Sequence, residues 1–404
     1  MDLKTKKPKC GDIMIRTFKV EIYPTAKQRK AFAQAFGTRR WVWNWALATY
    51  EERWDSQQIF MTSFMLDTLL NSLRENNPDE YGWIGEVNTM VKSEALKDFG
   101  LATKAWCKQL KAARQKPTKV NANKGKPKFK KKGYCEESFR LFKKNDSMFR
   151  VKSQYHFNFT WTRAYGRMTV RTAESLLFLK DAEIKTMTIS QKCGKYFMSL
   201  TYEKANRSKA RKEGVVGLDL GIKHSAVTYD GHAAKTYDLP KSIAHYERLY
   251  DSRQTKLSAK TYGSKAYEKQ KLLCDKAAAK QARIRKDFLH KLTTELVTNY
   301  SEIKIDDFSF KGYVAIQRNA RHAYSVAPCT LKEMLEYKAE EFGVVVKFVP
   351  KGTPTTQTCS CCGHRLEGED KLGLHARRYV CPNCGQDIDR DVNAAINVFK
   401  LPIG

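Results

Sequence analysis

Two sets of side chains in this sequence have the types and spacing for metal chemistry. Cys359 and Cys362 form one Cys-x-x-Cys pair, and Cys381 and Cys384 form another 18 residues further on. Two such knuckles deliver four thiolates to a single tetrahedral ion, the pattern of a four-Cys zinc ribbon. Gly363 and Gly385 each follow the second cysteine of a pair, where the knuckle has to turn tightly. Four protein ligands leave no open position, so this zinc is expected to be structural. Cys361, His364 and His375 lie nearby, but the spacing favours Cys362 over Cys361, and four thiolates already fill the shell.

The second set is acidic. Asp219 sits in the apolar run GLDLGI (217–222), Asp306 and Asp307 end IKIDDF (303–308), and Asp391 opens DRDVNAAIN (389–397). An aspartate inside a strand is unfavourable unless something pairs with it. A divalent cation is such a partner, because Mg²⁺ takes carboxylate oxygens together with water and phosphate oxygens. Two ions roughly 4 Å apart can activate a water and stabilise the leaving oxygen of a phosphodiester. Taken singly, each acid also has a plainer reading. Asp219 suits a buried hydrogen-bond acceptor, Asp306 or Asp307 a turn, and Asp389 the N-cap of the following helix.

These acids need particular elements to bring them together. Residues 215–220, 225–229, 303–306 and 344–349 read as strands, 241–298 and 331–342 as helical, and a short helix begins near Asp391. That alternation suits a βαβ-type sheet. Two neighbouring strands and a helix start can then carry three distant carboxylates to one point, as in RNase H-like nucleases. The first half differs. A strand over 15–22 leads to Thr25 as a helix N-cap, helical spacing follows through 27–101, and the chain turns β-rich from 138 to 202.

Charge restricts the partners. The 404 residues carry 74 Lys and Arg against 43 Asp and Glu, a formal net charge of +31. A polyanion relieves such self-repulsion and releases counterions as it binds. From Lys104 to Lys132 there are twelve basic residues and no acid. Phe129 lies there among Lys126, Lys128, Lys130, Lys131 and Lys132, a mix suited to stacking and neutralising a nucleic acid, although a solvated basic loop is the bland alternative. The N-terminus lacks an apolar signal core and no run is long enough to span a membrane, so an intracellular protein with reduced cysteines is expected.

GLDLGI, IKIDDF, TPTTQTCSCCG, CPNCG and DRDVNAAINV, in that order, resemble the RuvC and zinc-ribbon core of the TnpB family. These are transposon-encoded relatives of type V CRISPR effectors. KVEIYPTAKQ, RRWVWNWAL, GKPKFKKKG, RKDFLHKLT and LEYKAEEFG resemble other stretches of that family, so the likeness spans nearly the whole chain. It implies a bilobed α+β multidomain protein: a β-barrel wedge domain with a helical recognition insertion, and an RNase H-like (RuvC) α/β domain with an inserted four-Cys zinc ribbon. The implied layout is a basic tail (1–14), wedge (15–38 and 113–204), helical recognition domain (39–112), RuvC (205–355), zinc ribbon (356–386) and RuvC C-terminal helix (387–404).

The resemblance further implies an RNA-guided DNA endonuclease: a monomer in a cytoplasmic, nucleoid-associated ribonucleoprotein. It would bind a transposon-derived guide RNA and double-stranded target DNA beside a short adjacent motif. It assigns the Mg²⁺ carboxylates to Asp219, Asp306 and Asp391, and sets Arg39, Arg40 and Asn44 near the helix that reads the adjacent motif. One position departs from the pattern. The second motif usually carries Glu where this chain has Asp306, one methylene shorter, which opens an alternative as a nuclease-attenuated or inactive guided DNA-binding repressor. Glu302, on the same strand face, is a substitute ligand to weigh.

Overall fold

The computed structural model describes residues 13–57, 60–115, 125–162, 165–205, 213–221, 224–306, 327–350, 352–373 and 376–402. Asp307, His375, most of the basic tail and residues 116–124 of the basic stretch lie outside the described residues. The chain divides between Lys204 and Ala205 into two compact units. No described helix is long and apolar enough to cross a membrane.

The unit over 13–204 holds strands β1 (Ile13–Tyr23), β2 (Glu137–Phe142), β3 (Phe149–Ser153), β4 (His156–Thr162), β5 (Gly166–Thr172), β6 (Glu183–Lys192) and β7 (Lys195–Ala205). They form one sheet in the order β2-β6-β7-β1-β5-β4-β3. Along β4 the alternate residues Phe157, Phe159 and Trp161 are buried, so one face turns to the core. Among the described residues β2 and β3 stand at the two edges of this order. Where the resemblance implies a barrel, the described residues form a curled seven-stranded sheet over one core.

Helices α1 (Ala26–Gln57), α2 (Ser63–Asn76), α3 (Pro78–Tyr81) and α4 (Thr89–Gln115) complete this unit. Thr25 and Gln28 cap α1 reciprocally: Thr25 Oγ1 accepts from the Gln28 amide, and Gln28 Oε1 accepts from the Thr25 amide. This is the N-cap that the sequence predicts. α1 runs through residue 38 without a break and serves two cores. Phe32, Ala35 and Phe36 pack with the sheet, while Val42, Trp43, Ala46, Leu47 and Tyr50 pack with Leu66, Leu70, Leu96 and Phe99.

The second unit is built on a five-stranded sheet in the order β10-β9-β8-β11-β12. Its strands are β8 (Val215–Asp219), β9 (Ala226–Tyr229), β10 (Ala234–Tyr237), β11 (Glu302–Asp306) and β12 (Val345–Val349). β8, β11 and β12 run parallel, and β9 is antiparallel to β8. Helices α5 (Ser242–Ser258), α6 (Lys265–Asn299) and α7 (Pro328–Phe342) lie between the strands in sequence. Val216, Leu218, Ile303 and Ile305 share a core with Leu292 and Leu296 of α6 and Leu331 and Leu335 of α7. Period two then sends Gly217, Asp219, Lys304 and Asp306 to the opposite face.

That face is covered by α8 (Arg390–Lys400), which contacts β8, β9 and β11. The approach is close enough to require glycine. A Cβ on Gly217 would lie 2.5 Å from the carbonyl oxygen of Ala395 and 2.5 Å from the amide nitrogen of Phe399. Between β12 and α8 the chain forms the cysteine knuckles and the small hairpin β13 (Arg378–Val380) and β14 (Asp387–Asp389).

Gly217→Ala should therefore lower unfolding stability by about 1–3 kcal/mol in urea titration, because α8 has to lift from the sheet. Without that contact, alanine in a strand would instead stabilise by about 0.4–1 kcal/mol. A neutral or stabilising result would contradict the close seating of the helix.

Candidate functional site

The parallel register of β8 and β11 pairs Ile305 with Leu218, so the next position along sets Asp306 beside Asp219. Both sit where their strands end and on the face that α8 covers. Asp391 reaches the same place from the first turn of α8. The gap left by Gly221 shows this, since a Cβ there would meet the Asp391 carboxylate at 3.4 Å. The helix start is fixed by Asp389, whose Oδ1 accepts from the amides of Asp391 (2.9 Å) and Val392 (3.4 Å). Its far end is held by Lys304 of β11, whose ammonium donates to the carbonyls of Phe399 and Leu401, each at 2.8 Å. A cation on the last carbonyls of a helix complements its dipole.

Electrostatics tie the three acids together. Asp219 is only 7% exposed. Burial, then the charges of Asp391 and Asp306, push its carboxyl well above the usual range, against a smaller opposing pull from Arg390. Burial, then Asp389, also raises Asp391, while His224, Arg377 and Arg390 act the other way. Asp306 Oδ2 accepts a 2.8 Å hydrogen bond from the Thr355 hydroxyl. Glu302, at the other end of β11, is paired with Lys347 at 3.3 Å.

A buried carboxylate flanked by two others is a donor set that a divalent cation would neutralise. The three acids are not drawn into a tight cage. Among the described residues, the group of three or more potential ligands lying within 4.8 Å of one another is the four cysteines. Wider carboxylates fit Mg²⁺, which keeps several waters and shares its shell with phosphate.

The cysteine cluster has the dimensions of a closed site. Cys359 and Cys384 sulfurs are 3.6 Å apart, as are those of Cys362 and Cys381. A tetrahedron of Zn–S bonds near 2.3 Å has edges of about 3.8 Å, so one ion fits. The Asn383 amide and the His364 backbone N–H draw the Cys362 thiol down to about 6, while burial pushes the Cys359 thiol up. Tyr379, fully buried behind the cysteines, donates to the His364 carbonyl at 3.1 Å.

The basic segment is anchored to α1. Trp43 Nε1 donates to the Lys128 carbonyl and Asn44 Nδ2 to the Lys130 carbonyl, both at 3.0 Å, and the Lys130 amide donates back to Asn44 Oδ1 at 2.7 Å. This backbone clamp leaves Phe129 60% exposed, with Lys126, Lys128, Lys131 and Lys132 also exposed. Lys126 pairs with Glu51 at 3.1 Å. The Lys130 ammonium lies 3.4 Å from the Trp43 ring centre. Burial and then Arg39 pull it down to about 8, while the ring face favours its charged form. Arg39 is engaged by Asp98 and by Ser138, and Arg40 by Glu137. Arg39, Arg40 and Asn44, which the resemblance sets near the helix that reads the adjacent motif, thus make polar contacts within this unit.

Three family models match in chain order: a helix-turn-helix domain over 14–58, a probable transposase over 199–317, and a Cas12f1-like TNB domain over 329–398. A "putative RNA-guided DNA endonuclease" of Streptomyces pristinaespiralis is 26% identical over 386 residues, 95% of this chain and 88% of that protein. The protein of the same description from Escherichia coli, InsQ, is 25% identical over 406 residues, 95% of this chain and 92% of that one. A TnpB-like protein of Methanocaldococcus jannaschii is 26% identical over 208 residues, 46% of this chain and 69% of that one. The chain is thus similar to TnpB-like proteins. Among solved structures, a Cas12f1–sgRNA–target DNA complex matches with a TM-score of 0.49 at 13% identity, over 97% of this chain and 100% of that one.

Within this chain, the TNB match contains the four cysteines, Thr355 and Asp391, and the transposase match contains Asp219 and Asp306. The stretch matched as helix-turn-helix is β1 followed by the single helix α1 among the described residues. Sequence reasoning gave no role to Lys304, Thr355, Asn393 or Asn397. The motifs quoted above contain all four, but their partners depend on strand register and helix seating.

Metal analysis of the purified chain should find one tightly held zinc. Cys381→Ser should lose it and Cys361→Ser should keep it. Zinc retained by Cys381→Ser, or lost by Cys361→Ser, would contradict this ligand set.

Proposed function

We propose that this protein is an RNA-guided DNA endonuclease that hydrolyses phosphodiesters at Asp219, Asp306 and Asp391, with a structural zinc in the cysteine cluster. The observation that carries the reading is the β8–β11 register, with Asp306 beside Asp219 and Asp391 entering from α8. Its near-full-length relatives, each named as a "putative RNA-guided DNA endonuclease", point the same way. Divalent cations bound there would supply an activated water and offset charge on the leaving oxygen.

The protein's own part is to hold ligands in place. Asp219, buried and repelled by its neighbours, stays ionised most readily with a cation bound. Asp391 is aimed by the Asp389 cap, and Asp306 by the Thr355 hydroxyl. Guide RNA and double-stranded target DNA are the partners that fit the net charge of +31 and the clamped segment around Phe129. Backbone contacts from lysines and stacking on the exposed ring suit an RNA–DNA duplex and its displaced strand.

A second reading, a guided binding protein with weakened cleavage, rests on Asp306 being one methylene shorter than the family's usual Glu. Both readings meet in one assay. With co-purified RNA and matching DNA, Asp219→Asn should lose at least about a thousandfold in cleavage while DNA binding stays intact. Persistent cleavage would overturn the catalytic assignment. Under the main reading Asp306→Glu should leave cleavage within about tenfold of the parent, whereas a gain well beyond that would favour the weakened site.

A further inference from the structure

Thr355 is 4% exposed, and its hydroxyl donates to Asp306 Oδ2 at 2.8 Å. The segment carrying it, 355–360, leads directly into the first cysteine knuckle and is pinned along its length to one stripe of α8. Asn397 Nδ2 donates to the carbonyls of Thr355 (2.8 Å) and Thr358 (2.7 Å). Asn393, fully buried, donates to the Thr358 carbonyl at 2.7 Å and accepts from the Ser360 amide at 2.9 Å. Lys400 Nζ donates to the Ser360 carbonyl at 2.6 Å. Positions 393, 397 and 400 are spaced to share one helix face.

This helix also bears Asp391, and the segment contains Cys359. The cysteine cluster and the carboxylate set are therefore joined by one short strap. A buried hydroxyl set against a ligating carboxylate restricts its rotation and keeps one lone pair occupied. That restriction matters most for Asp306, whose shorter side chain has less freedom to find a ligand position by itself.

We propose that Thr355 is a positioning residue for Asp306, and that Asn393 and Asn397 hold its segment so that the cysteine knuckle is the outer anchor of the carboxylate site. The assignment rests on the nuclease reading above and adds a part of the chain to that site. Thr355 does not touch the scissile bond. It sets the direction of a carboxylate that does the holding.

Mn²⁺ binding to the zinc-loaded full chain, followed by electron paramagnetic resonance, tests this without relying on cleavage. The site is defined as the binding that Asp219→Asn abolishes. Thr355→Val keeps the shape and removes the hydroxyl, and it should weaken that binding roughly ten- to a hundredfold. Its melting temperature and zinc content should match the parent. Thr355→Ser restores the hydroxyl and should bind as the parent does, a rescue that a packing role would not give. Asn397→Leu should weaken binding in the same direction. If the valine variant does not fold, Thr355→Ala makes the same comparison. Parental Mn²⁺ affinity in the hydroxyl-free variant would overturn the assignment while leaving the nuclease reading intact. Absence of any Asp219-dependent Mn²⁺ binding in the parent would overturn both.

Discussion

The seating of α8 on the sheet is the constraint from which the rest of the site follows. A helix backbone lies where the side chain of residue 217 would be, so only glycine permits the contact. Once the helix is that close, its length fixes both ends. Lys304 reaches the carbonyls of the last turn, and the first turn falls at the ends of β8 and β11. Asp391 is brought to Asp219 and Asp306 by this packing, because no local signal in its own segment could aim it there.

The arrangement works against folding stability as well as for function. Three acids converge where one of them is nearly out of water, and burial first, then the charges of Asp391 and Asp306, raise the Asp219 carboxyl. A fold selected only for stability would place apolar groups there. Partial compensation is built in. The helix N-terminus presents positive partial charge to Asp389 and Asp391, and Arg377 and Arg390 lie near enough to pull Asp391 down. What remains is a concentration of negative charge in a chain whose overall charge is strongly positive, a local inversion that suits a cation between protein and phosphate.

The parts legible in the sequence were those written in local spacing. The two Cys-x-x-Cys pairs carry their geometry in the loop length, and they do come together as four sulfurs. Thr25 and Asp389 cap their helices as their positions predict. The convergence of Asp219, Asp306 and Asp391 was legible only through ordered motifs, since nothing local links residues so far apart. Register decided the rest. Lys304 reads as an exposed strand lysine until β11 is placed under the end of α8, and Thr355 reads as a loop residue until its segment lies along that helix. Arg39 and Arg40 show the converse. Their basic character suited a nucleic-acid contact, but Asp98, Glu137 and Ser138, distant in sequence, meet them within the fold. The strand order of the first sheet was hidden for the same reason, because strand pattern alone does not say which strands pair.

Local oxidative cleavage from a bound Fe²⁺ ion tests most directly whether one cation sits among the three acids. The zinc-loaded chain is charged with Fe²⁺ in place of Mg²⁺, treated with ascorbate and peroxide, and its fragments are mapped by mass spectrometry. Backbone breaks should cluster at three separate places, around Asp219, Asp306 and Asp391, and all three should vanish together in Asp219→Asn. Breaks at only one of these segments, or at three that survive the substitution, would show that the carboxylates do not share an ion.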